Sequence, residues 1–154
     1  MTDRKLVTVT AGVIYYQGKI LIAQRRLDKS LGGLWEFPGG KIEAGETPPQ
    51  TLAREIKEEF DIDITVGKYL FEHTYAYENF DLKMYVYRAE WDGKGQIKIC
   101  DHEQYAFVTL DEMSDYQLAG ADYPVVDFLK QASIKGRPSK GRPLLKSRRP
   151  AGRA

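Results

Sequence analysis

Three glutamates, Glu55, Glu58 and Glu59, stand at i, i+3 and i+4 within Arg54-Glu55-Ile56-Lys57-Glu58-Glu59. On a helix those spacings make lateral neighbours, roughly 5–6 Å apart at Cβ, so three negative charges crowd one patch. The patch falls late in its segment, where the negative end of the helix dipole adds to the repulsion. A divalent cation turns both penalties into attraction, and hard carboxylate oxygens suit Mg²⁺ or Mn²⁺. An acidic helix face is more often plain solvated surface. Gly39-Gly40 upstream and Arg54 inside the cluster favour the cation instead.

The elements that must carry these residues follow from local signals. Thr8 to Tyr16 reads as a buried strand, Gln17-Gly18 as a tight turn, and Lys19 to Arg26 as its hairpin partner. After a polar loop, Leu34-Trp35-Glu36-Phe37 is a short extended piece stopped by a Pro38-Gly39-Gly40 turn. Thr47 can cap a helix that has Pro48 at its first position, and Leu52, Ala53, Ile56 and Phe60 form its apolar stripe. The glutamates lie off that stripe, so one helix can pack on a sheet and present acids elsewhere. Asp61 ends it. Two strands, Ile62 to Tyr77 and Asp81 to Trp91, are joined by a turn, and a shorter strand runs from Gln104 to Leu110. Asp111-Glu112-Met113 starts a helical turn, and Tyr123 to Ala132 is a last helix opened by Pro124. Alternating β and α elements argue for a central sheet with helices on its faces.

At 154 residues, 42% of them apolar, the chain is long enough for one domain with its own core. No run approaches a membrane span and the N-terminus lacks the apolar stretch of a signal peptide, so a cytoplasmic protein is expected. The lone cysteine, Cys100, excludes an intrachain disulfide and a cysteine metal cage, and is expected as a partly buried small hydrophobe. The net charge of +1 conceals two regions: residues 1–133 carry −7, and the last 21 residues carry +8 with no acid. Residues 134–154, with three prolines and repeated Gly-Arg-Pro, read as a disordered tail able to hold a polyanion.

From Gly40 to Ile62 the chain resembles the Nudix box: glycine, five residues, glutamate, seven residues, then Arg-Glu-aliphatic-x-Glu-Glu-x-Gly-aliphatic. Eight of those nine positions fit; Asp61 stands where the family has glycine. Similarity to the MutT-like branch extends from the first hairpin to Leu129. It includes Ala23-Gln24-Arg25 and Leu118 to Pro124, the latter also resembling the CTP pyrophosphohydrolase subgroup. The resemblance implies a Nudix α/β/α sandwich with a central mixed sheet, hydrolysing nucleoside triphosphates to monophosphate and pyrophosphate with Mg²⁺, or Mn²⁺ in its place.

By position, the resemblance implies that Glu55, Glu58, Glu59 and the Gly39 carbonyl hold metal, that Arg54 orients the glutamates, and that Gly40 and Glu46 support the motif. It makes Arg25 and Lys41 phosphate contacts, and Phe37 and Asp122 base contacts. A further acid falls on Asp101, where relatives commonly have glutamate, with Glu103 as its substitute. Asp122 replaces an asparagine common in enzymes selective for oxidised guanine; ionised it only accepts hydrogen bonds, which suits cytosine N4, whereas protonated it can also read an oxidised purine. Activity on both (d)CTP and 8-oxo-dGTP is therefore expected, from a monomer or homodimer. His73 and His102 have no partner at metal-ligand spacing and receive no catalytic role. The alternatives are removal of pyrophosphate from RNA 5′ ends and, from another class, a non-catalytic nucleic-acid-binding module working through the tail.

Overall fold

The computed structural model describes residues 4–135, and among them seven strands and two α-helices form. Strands β1 (Lys5–Tyr16) and β2 (Lys19–Arg25) meet at Gln17-Gly18, whose φ values of 51° and 79° give the turn a twist matched to a tight hairpin. The hairpin pairs at Tyr15↔Ile20 and Tyr16↔Lys19, and then its arms part. Strand β3 (Trp35–Glu36) pairs with β2.

The expected turn at Pro38-Gly39-Gly40 is instead the start of a strand. β4 (Gly39–Lys41) runs antiparallel to β1, from Ala11↔Gly39 to Val9↔Lys41. Neither glycine has positive φ, so flexibility is not the reason for them. Close approach is: a Cβ on Gly39 would run into the Thr10 carbonyl, and one on Gly40 into the Glu55 carboxyl group.

Helix α1 (Pro48–Phe60) opens with a capping box, in which Thr47 Oγ1 accepts from Gln50 N and Gln50 Oε1 accepts from Thr47 N. Such a cap is worth roughly 1 kcal/mol. Leu52, Ile56 and Phe60 are buried as expected, but Ala53 is exposed and Thr51 takes its place in the buried face. Thr51 can do so because its hydroxyl donates to Glu46 Oε1 at 2.8 Å. Asp61 adopts the left-handed region, φ 57°, and its amide closes on Lys57 O at 3.0 Å, so the departure from glycine leaves the helix end intact.

Strands β5 (Ile64–Ala76) and β6 (Phe80–Trp91) form a second hairpin, and β6 pairs in parallel with β1 from Lys5↔Phe80 to Tyr15↔Glu90. Strand β7 (His102–Val108) pairs with β2. The sheet order is β3-β2-β1-β6-β5, with β4 on β1 and β7 on β2. A 3-10 turn at Asp111–Asp115 matches expectation; another at Gly120–Asp122, leading into α2 (Tyr123–Lys135), does not.

Side chains alternate across the sheet into two cores. Val13, Ile20, Ile22 and Val86 pack under α2 with Val125 and Leu129, whereas Ile14, Leu21, Ala23 and Ala89 pack under α1 with Leu52, Ile56 and Phe60. This is the α/β/α sandwich with a mixed sheet. Each fully buried aliphatic or aromatic side chain contributes roughly 1.5–3 kcal/mol.

Cys100 is exposed, contrary to expectation. Residues 92–101 run as loop past the end of α1, where the Lys98 and Cys100 amides donate to Phe60 O and Glu59 O, both at 3.0 Å, and leave the thiol facing out. Among the described residues no helix is long and apolar enough to cross a membrane. Helix α2 takes in Ile134 and Lys135; the rest of the basic segment, 136–154, and the polyanion contact expected of it lie outside the described residues.

Candidate active site

A cleft of about 780 Å³ runs beside the N-terminal half of β1, with β4, the ends of β2 and β3, and the Ala119–Asp122 segment as its walls. That volume suits a nucleotide-sized ligand. Its two ends differ in chemistry.

The acidic end lies on the α1 side. Glu55 and Glu59 face the cleft from α1, and Glu36 and Asp101 face it from β3 and the loop before β7. Glu59 carries most of the electrostatic strain. Burial first, then the charges of Glu55 and Glu36, push its carboxyl up to about 9, and its Oε1 is buried without a hydrogen-bond partner. Glu58 is different: its side chain is 57% exposed and leans on Arg54 Nη1 at 3.1 Å, outside the cleft walls.

Arg54 is the hub of this end. Its Nε and Nη2 donate to the two oxygens of Glu46 at 2.6 and 3.0 Å, while Nη1 donates to both Glu55 and Glu58 at 3.1 Å. Planar, five-donor geometry lets one cation restrain three carboxylates. The Arg54 and Thr51 hydrogen bonds hold the Glu46 carboxyl down at about 2, and the same network raises the Arg54 guanidinium. Arg54 Nη2 also reaches the Lys41 carbonyl at 3.4 Å, tying α1 to β4.

Asp101 lines the cleft and is paired with Lys29 Nζ at 3.0 Å and, more distantly, Arg26 Nη1 at 3.9 Å. Glu103 is occupied elsewhere, accepting from the Leu27 amide at 3.2 Å. Lys41 and Arg25 line the cleft, but Arg25 is half-buried and committed to Ser30 O and Glu36 Oε1, at 2.8 and 3.1 Å. Sequence reasoning passed over Glu36 and gave His102 no catalytic role, yet both line the cleft, with His102 Nε2 2.8 Å from Glu36 Oε2. Their proximity depends on neighbouring strands, which no local pattern encodes.

The second end lies on the α2 side and is largely apolar, with Phe37, Tyr77, Met84 and Ala121 among its walls. Asp122 sits there 2% exposed, accepting from the Phe37 amide at 3.2 Å. Burial, and then the charge of Glu36, raise its carboxyl well above the usual carboxylate range. Tyr77 fixes the same segment by accepting from the Ala121 amide at 2.9 Å.

Among the described residues no three histidine, cysteine or acidic side chains already converge as a closed metal cage. The donor set still fits a divalent cation. Glu59 Oε1 is an orphaned anion-forming oxygen, and the missing Cβ of Gly40 leaves room for the Glu55 carboxyl beside it.

Fold and cleft together define a hydrolase built on an α/β/α sandwich, with helix-borne carboxylates at one end of a nucleotide-sized cleft. Residues 9–127 match the NUDIX domain, and the chain belongs to that family. It is 35% identical over 123 residues to the CTP pyrophosphohydrolase of Escherichia coli K12, covering 80% of this chain and 90% of that protein. Over 66 residues it is 52% identical to the 8-oxo-dGTP diphosphatase of Proteus vulgaris, covering 42% of this chain and 59% of that one. The solution structure of the E. coli ORF135 protein superposes with a TM-score of 0.73 at 31% identity, covering 89% of this chain and 96% of that one.

Proposed function

We propose that this Nudix hydrolase acts with Mg²⁺, or Mn²⁺ in its place, on (d)CTP and 8-oxo-dGTP, releasing the monophosphate and pyrophosphate. The observation that carries the reading is the division of one cleft into a carboxylate end and an apolar end closed by a buried Asp122. A triphosphate with its cation matches the first, and a base the second. The relatives named for CTP and for 8-oxo-dGTP support the same choice.

Glu55, Glu59 and the Gly39 carbonyl would hold the cation, with Asp101 close by on the loop that joins the end of α1, and Glu58 following from the outer face of α1. When bound, it stabilises charge spread over the transferred phosphoryl group. The chain's own residues do the rest. Arg54 restrains Glu55 and Glu58, and Glu46 restrains Arg54. Lys41, from the cleft wall, offsets phosphate charge together with Arg25. Asp122 reads the base beside Phe37. Burial favours its protonated form, which both donates and accepts and so suits the adjacent ring nitrogen and exocyclic amine of cytosine, and also leaves an oxidised purine readable.

The test is a Mg²⁺-dependent screen of nucleoside triphosphates with product analysis, with Glu59→Gln as the low-activity control and Glu58→Gln beside it. Monophosphate and pyrophosphate from CTP and 8-oxo-dGTP are expected. A purified enzyme inert toward every nucleoside triphosphate would refute the reading.

A further inference from the structure

His102 stands where an ordinary strand register would have put Glu103. Strands β2 and β7 pair as Ala23↔Tyr105 and Gln24↔Gln104, and the next rung should join Arg25 to Glu103. A bulge at this point joins Arg25 to His102 instead. Bulges re-aim side chains at the ends of strands and beside functional clefts. Here the bulge moves Glu103 away to the Leu27 amide and brings an imidazole onto the α1 face.

On that face three neighbouring strands contribute one side chain each. Arg25 comes from β2, Glu36 from β3 and His102 from β7. Glu36 is gripped at both oxygens: Oε1 by Arg25 at 3.1 Å and Oε2 by His102 at 2.8 Å. The backbone on either side is already tied down, Trp35 exchanging hydrogen bonds with Gln117 and Ala119 at 2.9 Å, so these two grips act on the Glu36 side chain itself. The His102 side chain is 3% exposed and lies flat on Phe60, ring centroids 5.2 Å apart and planes 19° apart. Its Nδ1 is buried with no partner. A buried nitrogen left unsatisfied calls for an explanation. Packing on Phe60 would be served as well by a phenyl or leucyl group without stranding a nitrogen.

We infer that His102 is a positioning residue: its Nε2 hydrogen bond holds Glu36 as a fixed anionic wall of the cleft, adding to the field that draws the divalent cation between Glu55 and Glu59. This rests on the metal-dependent reading above. Glu36 sits close enough to Glu59 and Asp122 to raise the carboxyls of both, so its placement is felt at either end of the cleft.

Mn²⁺ binding to the nucleotide-free protein, followed by electron paramagnetic resonance, tests the idea without turnover. Glu36→Gln and His102→Leu should each weaken Mn²⁺ binding by about tenfold, and the double variant should be no weaker than Glu36→Gln alone. His102→Gln, which keeps a donor near the Nε2 position, should restore most of the affinity. Thermal melts run alongside identify any variant that fails to fold, and Glu36→Gln, which changes no packing volume, keeps the test open if His102→Leu does. Unchanged Mn²⁺ affinity in Glu36→Gln, additive losses in the double variant, or failure of His102→Gln to restore affinity in a folded protein would each overturn the inference. If the wild-type protein binds no Mn²⁺, the metal-dependent reading itself has failed instead.

Discussion

The two ends of the cleft use carboxylates in opposite ways. At the α1 end, Glu46, Glu55 and Glu58 share one guanidinium, and Glu36 is held between an arginine and a histidine. At the α2 end, Asp122 has a single backbone amide as partner and is buried among apolar groups. At the first end Arg54 holds Glu46 down at about 2 while Glu59, buried without a basic partner, is pushed up to about 9 and would exchange its proton for a cation; at the second, burial and then the charge of Glu36 raise Asp122 with no cation site beside it. Residue type alone therefore assigns no role. Desolvation and partners decide it.

The contrast breaks most severely at Glu59. Glu59→Gln removes an anionic oxygen from the cation end while keeping its shape, and kcat should fall by about 10²–10³-fold, the scale of losing one electrostatic contact to a transition state. Glu58→Gln, exposed and outside the cleft walls, should cost less. Equal losses in steady-state assays would mean that α1 rearranges when loaded. Next is Gly40→Ala: its Cβ displaces the Glu55 carboxyl, so turnover should drop at least tenfold while the protein still melts cooperatively. Gly39→Ala, pressing on the Thr10 backbone, should instead lower the melting temperature.

Asp122→Asn sharpens the other end. An amide donates and accepts at any pH, whereas the carboxyl does so only with its proton, so toward alkaline pH the variant's kcat/KM should shift toward 8-oxo-dGTP relative to CTP by a fewfold against wild type, measured as a ratio in competition assays. An unchanged ratio would remove Asp122 from base selection. A separate effect, on stability rather than turnover, appears in metal-free buffer. Glu59 titrates near 4.5 when unfolded and about 9 when folded, so between those values the folded state holds the extra proton. Its contribution to stability therefore falls as pH rises across that window. Glu59→Gln should flatten the decline in melting temperature between pH 5 and 9, and saturating Mg²⁺ should do the same in the wild-type protein.

What could be read from sequence was local. Thr47 and Pro48 announce the helix start, and the glutamate spacing follows once a helix is granted. Gln17-Gly18 announces the hairpin but not how soon it splays, because β2 leaves β1 to pair with β3 and β7. Gly39-Gly40 misled as a turn, since turns and close backbone approach call for the same residue. The grip of His102 on Glu36 spans 66 residues and depends on a bulge, and no periodicity carries that. Thr51 inside the buried face of α1 was equally hidden, because its burial needs the Glu46 acceptor.

Every rung between β1 and β6 joins residues 75 apart in sequence, from Lys5 with Phe80 to Tyr15 with Glu90. Closing so long a stretch of chain is slow, because entropy is lost before the ladder returns any contact. During synthesis the strand beside the cleft has no parallel neighbour until residue 80 has left the ribosome, and no complete one until residue 90 has. A nascent chain shorter than that carries the helix cap and the glutamates in its sequence, yet lacks the strand that completes the cleft wall.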